Sequence, residues 1–450
     1  MRSTGIGAFL LAVLATLAAG PVAAGDPPPP AVAKASSGAV PPTAPPAVRV
    51  APPELNARAW ALIDARSGEV LASHAAARHL PVASTTKLMT AYLALKELPL
   101  GKIVRAAPYH AIYGESLLGL RPGQRISVRD LLYGLILRSG NDAAYDLANA
   151  VAGTERRFVG LMNLRAAALG LSDTHYANPI GLDDPANYSS ARDLTTLTQR
   201  LLRIPVFARI ADSRSARLRS LRPPRRIETL NDLLWREPWT TGVKTGHTFG
   251  AAYVLVGAGR RKGTELISAV IGAPTETDRD LESLKLLDYG FSLYRKRVPI
   301  RAGEELASPS IAFSGGELPL RAAHTVAVGV RRGERLRVGV RVPGEVEGPI
   351  HRGAALGRAV VYVDGLPAAS VALLAGRSVP EASTFDRVRS FITGHWILTG
   401  LGVFCVILLF AAIWWRRRRR GGEGEETIQA NREQRRAERQ RRREQEGAVE

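Results

Sequence analysis

The chain has 450 residues, 46% hydrophobic and 23% charged, with a formal charge of +20. That length allows two domains with accessory segments. Its single cysteine, Cys405, excludes an intramolecular disulfide and a thiolate metal cluster, so an exported fold must rest on its core alone. Outside the tail the arginines are scattered, and an exported chain does not meet nucleic acid, so no nucleic-acid partner is expected; a polyanionic wall or lipid headgroups suit the charge.

Arg2 precedes an apolar run over residues 6–19, and Val22-Ala23-Ala24 supplies small residues for cleavage. Residues 1–24 therefore read as a secretory signal peptide. Residues 25–53, with four consecutive prolines at 27–30, read as an extended spacer. Runs at 59–63 and 70–73 suit a hairpin around Asp64-Ala65-Arg66-Ser67-Gly68. A helix is expected from Ser84, with Leu88, Tyr92 and Leu95 on one inward face. Ser127 and Asp130 look like a capping box before a helix that ends at Ser139-Gly140, and helices over 141–152 and about 155–169 follow.

Beyond Lys244 the period changes. Residues 251–257 and 265–271 flank a turn at 259–263 as an antiparallel hairpin, and a helix over 275–294 follows. Strands at both ends with helices between them predict an α+β domain over 54–297. Val-rich runs at 325–330, 336–342 and 359–363 predict a small all-β domain over 298–380, then a juxtamembrane linker over 381–395. Residues 397–415 carry no charge, and as a helix they span about 28 Å, close to a bilayer core. Tryptophans edge this run and five arginines follow it. Residues 396–415 thus predict a single transmembrane helix, with 416–450 as a basic cytoplasmic tail and the folded domains outside the membrane.

Three short motifs carry chemistry: Ser84-Thr85-Thr86-Lys87, Ser139-Gly140-Asn141 and Lys244-Thr245-Gly246. Only eight of the 61 basic residues are lysine, and two of those eight fall inside the motifs. Lysine sheds its proton in a desolvated site; arginine does not. Residues three apart on a helix share a face, so Lys87 can reach the Ser84 hydroxyl as its base, provided burial and the second cation Lys244 keep it neutral. Ser139 suits proton delivery to a leaving amine, and Asn141 suits holding a substrate amide. Lys244 and Thr245 can grip a terminal carboxylate, while Gly246 lets a peptide lie against the strand. The backbone N–H groups of Ser84 and His247 are candidates for an oxyanion hole. No metal or other cofactor is expected, since the histidines around His247 lack ligand spacing.

The trio resembles that of class A β-lactamases and penicillin-binding proteins, which carry Ser-Asp-Asn in the middle. Val243-Lys244-Thr245-Gly246-His247-Thr248, Asn178-Pro179-Ile180-Gly181-Leu182-Asp183 and Tyr188-Ser189-Ser190-Ala191-Arg192-Asp193 are similar to the low-molecular-mass D-alanyl-D-alanine carboxypeptidases. So is the stretch from Ala273-Pro274-Thr275 through Leu287-Asp288-Tyr289-Gly290-Phe291. The resemblance covers residues 56–293 and implies an antiparallel sheet with a helical cluster. It also implies removal of the terminal D-alanine from peptidoglycan stem pentapeptides through an acyl-enzyme on Ser84, with β-lactams as inhibitors. Rival readings are a DD-transpeptidase or endopeptidase, a β-lactamase, and an inactive wall-binding scaffold. Asn187 stands where the family often has histidine and Thr241 where an acid is frequent. The 55-residue interval between Ser84 and Ser139 implies a shortened loop over the site.

Overall fold

The computed structural model describes residues 51–446, less the side chains at 391, 393–394, 396, 398–399, 417–428 and 444–446. The expected signal peptide and most of the proline-rich spacer lie outside the described residues. The chain divides into two compact units, the first comprising the residues through Arg301 together with 325–341 and 359–371.

The first unit opens with β1 (Ala59–Asp64), β2 (Val70–His74), a 3-10 turn (Ala83–Thr86) and α1 (Lys87–Glu97). The short strands β3 (Ile103–Arg105) and β4 (Arg125–Ser127) then frame a long loop. Six helices follow: α2 (Val128–Leu137), α3 (Asn141–Ala152), α4 (Glu155–Ala168), α5 (Ala191–Leu202), α6 (Pro205–Ala211) and, after the hairpin β5 (Ser215–Leu218) and β6 (Arg225–Glu228), α7 (Leu233–Arg236). The long strands β7 (Thr240–Thr248), β8 (Ala252–Arg261) and β9 (Thr264–Ala273), the helix α8 (Glu276–Ser292) and β10 (Tyr294–Ile300) complete its continuous part.

The main sheet runs β2-β1-β9-β8-β7, every pair antiparallel, with β7 on an outer edge. Helices cover both faces, so the strands are buried on both sides. Ala59, Ala61 and Ile63 of β1 join the core shared with α1 to α6, whereas Trp60 and Leu62 pack with Leu286, Leu287 and Phe291 of α8. An α+β fold with an antiparallel sheet and a helical cluster is thus what the chain adopts.

α1 departs from its expected single inward face. Its first eight residues, Lys87 to Ala94, are all buried. Small residues make this possible: Ala91 and Ala94 admit close neighbours, and the Thr90 hydroxyl is satisfied by the Pro179 carbonyl at 2.7 Å. The capping box of α2 also differs. Ser127 Oγ accepts from Asp130 N at 3.2 Å, but the Asp130 carboxylate does not return to Ser127; it accepts from Ser220 N and Oγ at 2.8 and 2.5 Å. The cap has become a tertiary tie between α2 and the turn after β5.

The second unit, 302–324, 342–358 and 372–450, is built from short strands. The strands after β10 are β11 (Glu305–Ala307), β12 (Ser310–Ile311), β13 (Leu320–Ala322), β14 (Val326–Arg331, in the first unit, paired with β10), β15 (Leu336–Arg341, also in the first), β16 (Glu345–Val346), β17 (Ala355–Val363) and β18 (Leu366–Ala375), the last two divided between the units. Within the second unit β13 pairs antiparallel with β11 and with the end of β18, and β12 pairs parallel with β16. The helices α9 (Thr384–Gly394) and α10 (Trp396–Glu446) follow. Among the described residues no helix is long and apolar enough to cross a membrane. The span expected at 396–415 falls in α10, where the side chains at 396, 398 and 399 are outside the description.

Candidate active site

Ser84 stands in the 3-10 turn rather than in the first turn of α1. Thr85 donates both its N–H and its hydroxyl to the Val82 carbonyl, at 3.2 and 2.6 Å, which tightens the turn. Ala83, just before the serine, has φ +48°, a left-handed conformation costing an L-residue about 1 kcal/mol. Such strain persists only where the surroundings impose it. Here the 178–183 segment packs against it through Gly181: with φ +90°, that glycine lies so close that a Cβ there would stand 2.0 Å from the Ala83 carbonyl oxygen.

Lys87 begins α1 and is fully buried. Its Nζ lies 2.8 Å from Ser84 Oγ and 2.6 Å from the Ile180 carbonyl. That carbonyl is delivered by a turn built around Asn178, whose Oδ1 accepts from Gly181 N at 2.6 Å and from Ile180 N and Leu182 N at 3.3 and 3.2 Å. Burial, and next the charge of Lys244, hold the Lys87 pKa well below the usual ammonium range, against opposing pulls from Glu115 and Asp142. Lys244 on β7 is itself 1% exposed and donates to the Thr245 carbonyl at 2.7 Å. Burial, with the nearby Arg279 guanidinium, brings its pKa down to about 7.

β7 passes directly against the serine turn: a Cβ on Gly246 would stand 3.0 Å from Ser84 N and 3.2 Å from the Val82 carbonyl oxygen. Thr245 is buried between Lys244 and this glycine. His247, the next residue, is exposed, and its ring stacks on Tyr253 with centroids 4.2 Å apart. Because β7 is an edge strand, its outer backbone groups are free to pair with an extended peptide.

The opposite side comes from the α2–α3 junction and the loop between β3 and β4. Ser139 is 4% exposed, on a left-handed residue with φ +57°. Asn141 opens α3, and its Nδ2 donates to Glu115 Oε2 at 2.7 Å. Its Oδ1 is buried and finds no partner among the described residues. Glu115 also accepts from Tyr109 OH at 2.5 Å and Ile112 N at 3.0 Å. Burial pushes its pKa up, but the bonds from Asn141, Tyr109 and Ile112, with the charge of Lys87, leave it below the ordinary carboxylate value. Asp142 takes three loop N–H groups, those of Leu118, Gly119 and Leu120, at 2.7 to 2.9 Å.

The fold therefore brings Ser84, Lys87, Lys244, Thr245 and Gly246 together, with Asn141 joined to them through the field of Glu115. Sequence reasoning missed Glu115, Asp142 and Arg279. Asp142 carried a signal, as an acid in the first turn of a helix beside a motif. Glu115 and Arg279 carried none, since a loop and a distant helix bring them in. Among the described residues no group of three His, Cys, Asp or Glu side chains is placed to hold a metal ion.

Residues 46–275 match the peptidase S11 family of D-alanyl-D-alanine carboxypeptidases. The D-alanyl-D-alanine carboxypeptidase DacC of Escherichia coli (strain K12) is 35% identical over 360 residues, covering 76% of this chain and 89% of that protein. DacB2 of Mycobacterium tuberculosis is 38% identical over 256 residues, covering 55% of this chain and 87% of that one. Among solved structures, penicillin binding protein 5 from Haemophilus influenzae superposes with a TM-score of 0.51 at 29% identity, over 74% of this chain and all of that one. With the motif order, the family match and these relatives in agreement, the chain belongs to the peptidase S11 family of D-alanyl-D-alanine carboxypeptidases.

Proposed function

We propose that the chain is a serine D-Ala-D-Ala carboxypeptidase that trims the terminal D-alanine of peptidoglycan stem pentapeptides. The observation that carries this is the 2.8 Å contact between Ser84 Oγ and the Nζ of a fully buried lysine. A neutral Lys87 takes the serine proton as Oγ attacks the carbonyl of the penultimate D-alanine. Its bond to the Ile180 carbonyl anchors the amine beside the serine. The N–H groups of Ser84 and His247 hold the oxyanion. Ser139 relays the proton held by Lys87 to the departing D-alanine nitrogen, and the C–N bond breaks to leave an ester on Ser84 and a neutral Lys87. Water then hydrolyses that ester, returning the serine hydroxyl and the trimmed stem.

Lys244 and Thr245 hold the substrate's terminal carboxylate, Gly246 admits the peptide beside β7, and Asn141 receives its amide, for which the unpartnered Oδ1 supplies an acceptor. β-Lactams acylate the same serine. The full-length protein, incubated with a pentapeptide ending in D-Ala-D-Ala, should release one D-alanine by mass. The Ser84→Ala variant should lose both release and covalent labelling by a fluorescent penicillin, and label surviving in that variant would sink the assignment.

We also place the catalytic domain outside the cell membrane, held by a single span at 396–415 with the tail cytoplasmic and a cleaved leader at 1–24. Side chains of α10 such as Leu401, Phe404, Leu409 and Phe410 are all more than half exposed, an apolar surface that calls for lipid or protein cover.

A further inference from the structure

We propose that Phe249 is a specificity-determining residue, an apolar post against which the third residue of the stem peptide, counted from its carboxyl end, packs its side chain. This rests on the carboxypeptidase reading above. Phe249 is 100% exposed in the turn between β7 and β8. An exposed apolar side chain alone needs no explanation, but this one sits on a turn that is fixed from several directions.

Asp183 accepts from Thr248 Oγ1 at 2.6 Å and from Gly250 N at 2.9 Å, the residues on either side of the phenylalanine. Thr248 Oγ1 in turn accepts from Ala251 N at 3.1 Å, and Arg58 donates to the Gly250 carbonyl at 2.8 Å. A Cβ on Gly250 would stand 3.0 Å from Asp183 Oδ1, so turn and carboxylate are in contact. Asp183 closes the same 178–183 segment whose Ile180 carbonyl positions Lys87. The post and the base are therefore tied to one piece of backbone.

Direction along the strand supplies the occupant. A substrate with its carboxylate at Lys244 and Thr245, and its scissile carbonyl at Ser84 and the His247 N–H, extends toward higher β7 numbers. At about 3.4 Å per residue, the third residue from its end lies level with the positions just beyond His247. There the chain offers an uncharged ring rather than one of its many arginines. That favours a long aliphatic side chain, whose stem can lie on the ring while any polar tip stays in water.

Two blocked peptides ending in D-Ala-D-Ala test this, one with lysine at the third position from the end and one with glycine there. With the full-length protein, kcat/KM should favour the lysine peptide by about tenfold, the scale of discrimination that a small apolar contact provides. F249S should bring that ratio close to one while the glycine peptide and penicillin labelling change less than about twofold; F249L should keep part of it. A ratio that survives in F249S overturns the proposal. So does a parallel fall of both peptides and of penicillin labelling, which would mean that the turn only supports the fold. Wild-type protein that releases D-alanine from neither peptide would overturn the carboxypeptidase reading together with this one.

Discussion

The two sides of the active site are held by different physics. The side with Ser84, Lys87 and β7 is fixed by tightly packed backbone, where a methyl group on Gly181 would collide and one on Gly246 would push its neighbours aside, and it holds two buried amines whose charges oppose each other. The side with Asn141 is fixed by carboxylates: Glu115, Asp142 and Asp146 tie the loop between β3 and β4 to α3 through hydrogen bonds to its N–H groups. The first arrangement makes a base by excluding water. The second places a binding amide while keeping a loop that carries the exposed Ile112 and Tyr113. A nucleophile needs electrostatic isolation, whereas a substrate clamp needs only orientation.

Three substitutions would break or sharpen this contrast. Lys87→Arg has the largest expected effect, because arginine stays protonated at any working pH. Acylation by penicillin should fall by roughly 10³-fold or more, the scale seen when one member of a catalytic unit is removed. A near-normal labelling rate would show that no neutral amine is needed. Glu115→Ala touches the other side and should cost less. It leaves Tyr109, Ile112 and Asn141 without their shared acceptor, worth about 1–3 kcal/mol, so kcat/KM should drop roughly 10- to 100-fold without abolishing labelling. A loss as deep as that of Lys87→Arg would mean that the carboxylate participates in the chemistry itself.

Asp146→Asn is the smallest. Asp146 is 2% exposed, accepts from Ala107 N at 2.8 Å, and has its pKa pushed up to about 6 by burial, with Asp142 adding to the effect. A raised folded pKa contributes stability that is complete below the unfolded value and lost as pH rises through about 6. The variant should therefore melt with the wild type near pH 4 and above it at pH 8, by roughly 2–4 °C in a domain of this size. An equal difference at both pH values would show that the carboxylate is not penalised by its surroundings.

What could be read from the sequence follows the same division. The serine and lysine are three residues apart, so local geometry alone brings them within reach, and the β8–β9 hairpin and α8 announce themselves by period and turn residues. The all-round burial of α1 was hidden, because alanine and threonine on its reverse face score as neither core nor surface. Asp130 looked like half of a cap and serves as a tie to Ser220, a partner 90 residues away that no local pattern reveals. Glu115 was invisible for the same reason: its value depends on Asn141, 26 residues away, and on a loop whose path the hydrophobic pattern does not encode.

The burial of Lys87 and Lys244 has a consequence for the conditions under which the chemistry runs. Dissolved ions screen charges that they can surround, with a Debye length of about 8 Å at physiological ionic strength, and screen buried charges far less. The chain's outer surface, with its large excess of arginine, answers to every change in surrounding salt. The pair of amines behind the serine is sealed from it. Attraction to an anionic matrix can thus be tuned by the medium while the reactivity of the hydroxyl stays constant.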